Sequence, residues 1–223
     1  MADLFLQTGN ELKSLAEKHE AILVGYSGGK ESCVILDLAC KFFKRVVGYH
    51  LYLVPGLRYT EERLAFARSR YNVEFLTFPS SAFLDACRNY WYCDPRPEWC
   101  GLPDWNADDF HKAVCRQTGI PLILNGARLS DYRNRRRQIQ GRKKKDVAYP
   151  LAQWSKAHVL RYLLANNIPL PPSDGRVSTS VNLTSKSLLW LARDYPDDFE
   201  KVARFFPYVR AQVYRKQFFG VSA

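Results

Sequence analysis

The sequence has no apolar stretch long enough to span a membrane, because its hydrophobic runs break after about ten residues or fewer. The opening residues Met1-Ala2-Asp3-Leu4-Phe5-Leu6-Gln7 also lack the basic region and the long apolar core of a secretory signal. A cytoplasmic protein with no membrane contact is the expectation. Nor does any pair among the six cysteines show Cys-x-x-Cys spacing. Four of them, Cys87, Cys93, Cys100 and Cys115, fall within one stretch and are the ligand type of zinc and iron–sulfur sites. Without that spacing, reduced and unlinked thiols are expected, and neither metal centre is. Cys33 and Cys40 lie seven apart in a helical stretch and are expected to share a buried face. Internal repeats and low-complexity tracts are absent, apart from one basic run.

That run is marked by a missing charge. From Arg133 to Lys145 there are eight Lys and Arg and no acid, and without them the net charge of +11 falls to +3. The excess belongs to one segment, read as a loop. A like-charge block is commonly a solvated segment. It also suits several phosphates or a nucleic-acid backbone. Since one nucleotide cannot use eight cations, a large polyanion such as nucleic acid is the favoured partner.

What is present reads as an α/β protein. At 223 residues, 47% hydrophobic and 25% charged, the chain suits one globular domain with a small helical appendage. After a helix expected over Asn10 to His19, strand-like runs at Ala21–Tyr26, Arg45–Leu53, Glu74–Phe78 and Pro121–Asn125 follow. They alternate with helical stretches at Glu31–Phe43, Thr60–Tyr71, Ser81–Tyr90 and Ala107–Gln117. That order predicts a parallel sheet with helices on both faces, whose ligands bind at the carboxyl ends of the strands. An insertion from Asn89 to Trp105 carries Trp91, Tyr92, Trp99 and Trp105, which either cover a satellite core or form a substrate loop. From Ser155 the chain reads as helical. Ser155 caps Lys156–Asn166, Thr184 or Ser185 opens a helix through Asp194, and Pro196 begins a last helix towards Lys216. These helices pack on the sheet or on a second copy in a homodimer.

The stretch richest in chemistry is Ser27-Gly28-Gly29-Lys30-Glu31-Ser32, directly after the apolar run Ala21-Ile22-Leu23-Val24-Gly25-Tyr26. Two glycines permit close backbone approach. Ser27, Lys30 and Ser32 add hydroxyl and ammonium donors, and the following helix directs its amides and positive end at the loop. An anion is the expected guest. Gly-x-x-x-x-Gly-Lys-Ser/Thr cannot be threaded through these residues, nor can the dinucleotide fingerprint.

The loop resembles the PP-loop, Ser-Gly-Gly-x-Asp-Ser, of the adenine nucleotide alpha-hydrolase-like superfamily, with Glu31 for the usual Asp. Two further segments resemble its phosphoadenosine phosphosulfate reductase branch. Gly126-Ala127-Arg128-Leu129-Ser130-Asp131-Tyr132-Arg133 is similar to Gly-x-Arg-x-x-Glu-Ser-x-x-Arg, and Pro150-Leu151-Ala152-Gln153-Trp154-Ser155 to Pro-Leu-x-Asp-Trp-Thr. The resemblance spans roughly residues 21 to 175. It implies a Rossmann-like, five-stranded parallel sheet, with a nucleotide-binding domain over 1–175 and a C-terminal helical extension over 176–223 packed on it. It also implies that Ser27, Gly28, Gly29, Lys30 and Ser32 hold the phosphates or sulfate of an adenine nucleotide. Arg128 is then a second anion contact, and Arg133 or Arg135 a third. Tyr26 and Gly25 would line the adenine or ribose side. Glu31 would assist Mg²⁺ if the ligand is ATP, or else serve as an acid at a helix N-terminus. Lys30, Ser27 and Arg128 are the implied catalytic residues.

One departure divides the functional readings. The sulfonucleotide reductases carry a C-terminal Glu-Cys-Gly-Leu/Ile-His segment whose cysteine attacks sulfur, whereas this chain has no cysteine after Cys115 and ends Gln217-Phe218-Phe219-Gly220-Val221-Ser222-Ala223. Three readings follow. The first is cleavage of ATP at the α phosphate, giving AMP and pyrophosphate, to activate a second substrate such as nucleic acid for thiolation or base modification. The second is sulfonucleotide reduction through an unconventional thiol, Cys93 or Cys100. The third is a non-catalytic module that binds nucleotide or nucleic acid.

Overall fold

The computed structural model describes residues 2–131, 133–141, 146–174 and 181–220. Its centre is β1 (Ala21–Gly25), whose Ile22, Leu23 and Val24 are fully buried. A strand with no polar face must be covered on both sides, and this one is. Its neighbours are β2 (Arg45–Tyr52) and the short β4 (Ile123–Leu124), with β3 (Glu74–Pro79) and β5 (Val147–Ala148) at the edges. All pairings are parallel, and the order is β3-β2-β1-β4-β5. The expected five-stranded parallel architecture is therefore observed. The fifth strand falls at Val147–Ala148, which the sequence reading did not identify.

Alternate residues of β1 serve different cores. Ile22 and Val24 face α2 (Lys30–Phe42), α3 (Arg58–Tyr71) and α7 (Lys156–Ala165), and Leu23 joins Val47, Tyr49 and Ile123 against Val114 of α5 (Ala107–Thr118). Helix α1 (Ala2–Ala16) begins eight residues before the expected start at Asn10 and ends before His19. Its reason is tertiary. Phe5, Thr8 and Leu12 fall on one helical face. Phe5 meets the Trp154 ring edge-on at 4.8 Å, and Thr8 Oγ1 accepts a 2.9 Å hydrogen bond from Trp154 Nε1. Trp154 is thus buried with its one polar atom satisfied, which the indole N–H requires.

A second core is built beyond the carboxyl end of β2. Leu53, Val54 and Leu57 pack with Ala86 and Cys87 of α4 (Ser81–Arg88) and with α8 (Ser185–Asp194), α9 (Pro196–Phe205) and α10 (Val209–Phe219). The single last helix expected from Pro196 is two helices. Pro207 supplies no amide donor and disfavours helical geometry at Phe206, whose φ of −128° and ψ of 74° end α9. Trp99 belongs to this core and Trp105 meets Phe110 at 5.1 Å, so part of the aromatic insertion does cover a satellite core. Trp91 does not, being half exposed.

The basic run is not simply a loop. Arg133–Gly141 forms α6, and the remaining basic residues, 142–145, lie outside the described residues. Arginine and glutamine are good helix formers and no proline interrupts them. Arg135 also approaches Asp131 one turn earlier, at 3.8 Å.

Candidate anion and nucleotide site

The carboxyl ends of β1, β2, β3 and β4 open on one cavity of about 370 Å³. Ser27, Glu31 and Ser32 border it from the anion loop, Tyr49 and Leu51 from β2, and Asn125 and Gly126 from the end of β4. Its volume falls in the range of small-molecule sites. Its lining combines hydroxyls, an amide and a carboxylate with the apolar Leu51, Ala82 and Ala107. That mixture suits a ligand that carries both a charged group and a flat apolar group.

The loop is internally braced. Gly28 adopts φ 74°, and its open face lies against Arg63, where a Cβ would come within 3.3 Å of the Arg63 side chain. Gly29 N donates to Ser27 Oγ at 3.3 Å, and Ser32 Oγ donates to the Gly29 carbonyl at 2.8 Å. Helix α2 then begins with Gly29 at its N-cap position and no side chain capping it. A helix start of this kind, with its amides uncapped and the positive end of the dipole beside them, is chemically suited to an anion.

Arg128 is the residue expected to make the second anion contact. It is 8% exposed, and its Nη2 reaches Glu31 at 3.1 Å and Asp131 at 2.8 Å. The other two nitrogens, Nε and Nη1, are buried without a hydrogen-bond partner among the described residues. Leaving buried guanidinium donors unmade costs free energy. The turn after β4 also meets α2 closely: at Gly126 a Cβ would sit 2.9 Å from the Glu31 carbonyl oxygen, so the strand-end turn and the start of α2 touch only because the residue is glycine.

The expected site residues take different positions. Ser27, Glu31 and Ser32 border the cavity, as do Gly25 and Tyr26. Tyr26 turns its hydroxyl inward, donating to the Arg63 carbonyl at 3.3 Å and lying 3.7 Å from Cys33 Sγ, and its burial raises the phenol pKa. Gly28, Gly29, Lys30 and Arg128 are not among the cavity-lining residues. Lys30 instead forms a 2.7 Å ion pair with Asp174. Arg133 is exposed on α6, and Arg135 is the arginine of that helix that borders the cavity.

Residues not foreseen complete the site. Arg63 is buried behind Gly28 and donates from Nη2 to Cys33 Sγ at 3.3 Å, and its Nε has no partner among the described residues. Nothing in its local sequence separates it from Arg58, Arg68 or Arg70 on the same helix. Asp174, Asn125, His111 and Asn182 come from segments whose convergence only the fold produces.

The six cysteines lie elsewhere. Cys87 and Cys93 are in the second core, Cys100 is exposed, Cys115 is on α5, and none borders the cavity. Cys33 and Cys40 do share the first core, with Cys33 fully covered and Cys40 half-buried. Burial pushes the Cys87 and Cys40 thiols up to about 12 and raises those of Cys33 and Cys93. Among the described residues, no three His, Cys, Asp or Glu are grouped so as to hold a metal. No helix among them is long and apolar enough to cross a membrane.

A parallel sheet of this order, with a Ser-Gly-Gly loop between its central strand and a helix, places the protein in the PP-loop, adenine nucleotide alpha-hydrolase-like class. Within that class the chain belongs to the phosphoadenosine phosphosulfate reductase domain family, whose model matches residues 21–172. No curated protein matches it in sequence. Among solved structures it is similar in fold to the U34-tRNA thiolase NcsA from Methanococcus maripaludis with its [4Fe-4S] cluster, at a TM-score of 0.51 and 14% identity, covering 95% of this chain and 80% of that one. It is also similar to the NH3-dependent NAD synthetase from Campylobacter jejuni in complex with nitrate, at a TM-score of 0.52 and 12% identity, covering 100% and 96%.

Proposed function

We propose that this protein is an enzyme that binds ATP over Ser27–Ser32 and cleaves it between the α and β phosphates to activate an oxygen of a nucleic-acid substrate. That oxygen attacks the α phosphorus, the bond from phosphorus to the bridging oxygen breaks, and its electron pair leaves with pyrophosphate. An amine or sulfur nucleophile then displaces the adenylated oxygen, releasing AMP. The amides that open α2 and Arg128, whose Nε and Nη1 have no partner among the described residues, supply positive charge to the phosphates. Lys30 adds its ammonium on leaving Asp174. Mg²⁺, when bound with the nucleotide, would take Glu31 and phosphate oxygens as ligands and add charge against the leaving pyrophosphate. One carboxylate at the cavity edge suffices for an ion of this kind.

The observation that carries this reading over sulfonucleotide reduction is the placement of the cysteines, none of which borders the cavity. A thiol must approach the sulfur it attacks, and a thiolate must form first. Cys93 is buried in the second core with its pKa raised, which opposes both requirements. Family membership is what favours the second reading, a sulfonucleotide in the same cavity. Supplying ATP or phosphoadenosine phosphosulfate, with nucleic acid and a reduced thiol present, separates the two. Pyrophosphate from ATP is expected, whereas thiol-dependent sulfite from the sulfonucleotide would replace this proposal with the second reading.

A further inference from the structure

The cavity over the anion loop has a neighbour. Ala82 and Asn182 line both, and the second, of about 480 Å³, is walled further by Trp91, Tyr92, Leu183 and Gln212. Three features of this cleft have no part in nucleotide binding. Trp91 is 50% exposed, an unfavourable place for a large apolar ring unless something covers it. It is also held there against backbone preference. Tyr90 and Tyr92 on either side adopt φ of 54° and 61°, a left-handed conformation costly for bulky residues. Hydrogen bonds from Trp91 N to the Ala86 carbonyl and from Tyr208 N to the Tyr92 carbonyl, both 2.8 Å, fix the turn.

The third feature is a polar group awaiting a partner. One end of the Gln212 amide bonds Ser185 Oγ at 2.8 Å, and the other end is buried with no partner among the described residues. A buried amide of this kind is satisfied by a ligand with a complementary edge. The first cavity, which the cleft adjoins through Ala82 and Asn182, is bordered by Arg135 of α6, and that helix exposes Arg133, Arg136 and Arg137. An aromatic face, a hydrogen-bonding amide and a row of guanidinium groups together match a base on a phosphodiester chain.

We infer that this cleft receives an unstacked base of a single-stranded nucleic acid, stacked on Trp91 with its edge at Gln212, while α6 holds the adjoining phosphates. The inference rests on the proposed reading of the first cavity, since the cleft is then its second-substrate side. It also accounts for the local charge excess that one nucleotide cannot use.

The test is anisotropy titration of short fluorescent single-stranded RNA and DNA at several salt concentrations, in parallel with calorimetric titration of ATP. Trp91→Ala is expected to weaken oligonucleotide binding by about 5- to 100-fold, the range for loss of one stacked base. Trp91→Phe should retain most of the affinity, and both variants should bind ATP as the wild type does. The RNA and DNA arms show which sugar is preferred. A wild type that binds neither oligonucleotide, or a Trp91→Ala variant that binds them unchanged, overturns the cleft and leaves the ATP reading standing. Trp91-dependent oligonucleotide binding without ATP binding would support the cleft and sink the ATP reading instead.

Discussion

Lys30 Nζ lies 2.7 Å from Asp174 Oδ1, and only 3.6 Å from the nearer Glu31 oxygen, so the lysine of the anion loop is held by a carboxylate far along the chain. The two partners are mostly buried, at 15% and 19% side-chain exposure, which strengthens the bond relative to a surface pair. Asp174 and a phosphate compete for one ammonium. Asp174→Asn is therefore expected to lower the Kd for ATP by about 3- to 10-fold while costing about 1 kcal/mol of stability. Calorimetry and urea unfolding measure the two effects, and weaker ATP binding would show that Asp174 positions Lys30 rather than competing for it.

Arg128 joins two carboxylates, and its Nε and Nη1 have no partner among the described residues. Arg128→Ala would take from Glu31 and Asp131 their shorter ion pairs and confuse binding with folding. Arg128→Lys keeps a charge and removes the planar fork. ATP affinity should fall by about 10-fold or more, the loss of one or two charge-assisted hydrogen bonds, with a smaller change in melting temperature. Unchanged affinity in a titration of that variant would remove Arg128 from the site.

Gly126 tests the close approach of the β4 end to α2. In Gly126→Ala the new methyl would meet the backbone of Glu31, which cannot swing aside as a side chain can. A cost of about 1–3 kcal/mol is expected in denaturant unfolding, as for overpacking. ATP binding should weaken along with it.

His50 gives stability a pH dependence. Burial holds its pKa below the ordinary 6.5, opposed by its Nδ1–H bond to the Tyr26 carbonyl at 2.9 Å. The unfolded chain therefore takes up the proton first as pH falls. The contribution is fully present above 6.5 and is lost as pH drops below 6.5 towards the lowered native value. Thermal unfolding between about pH 7.5 and 5.5 should show a decline that His50→Gln reduces. An equal decline in the variant would assign it to other groups.

Much of this architecture is legible from residue pattern. The unbroken apolar run Ile22-Leu23-Val24 suits a doubly covered strand, and Gly28-Gly29 shortly after it suits a turn into a helix. Arg128 is found because a motif follows a strand. What escapes depends on distant partners. The two-residue β5 has no periodicity to detect, and the early turn of α1 forms because Phe5 and Thr8 meet Trp154. Arg63 and Asp174 have no local signature, since each matters through a contact with the loop made only in the folded chain. The split at Pro207 was legible, because proline in a helix interior is a standing signal.

The cysteines supply a further check. Cys100 is the exposed thiol, so a thiol reagent should label it ahead of the buried Cys33, Cys87 and Cys93. Cys93→Ser and Cys100→Ser should leave turnover of ATP unchanged. Loss of activity in either, with nucleotide binding retained, would bring thiol chemistry back.

The central claim is that the loop from Ser27 to Ser32 presents the α phosphate of ATP for attack. The most direct measurement follows the label when ATP marked in its α phosphate is incubated with the protein and with single-stranded RNA or DNA. Unlabelled pyrophosphate is expected, with the label passing to the nucleic acid and from it to AMP once an amine or sulfur nucleophile is added, all strongly reduced in Lys30→Ala and Arg128→Lys. Labelled ADP, or intact ATP despite demonstrable binding of both substrates, would contradict it.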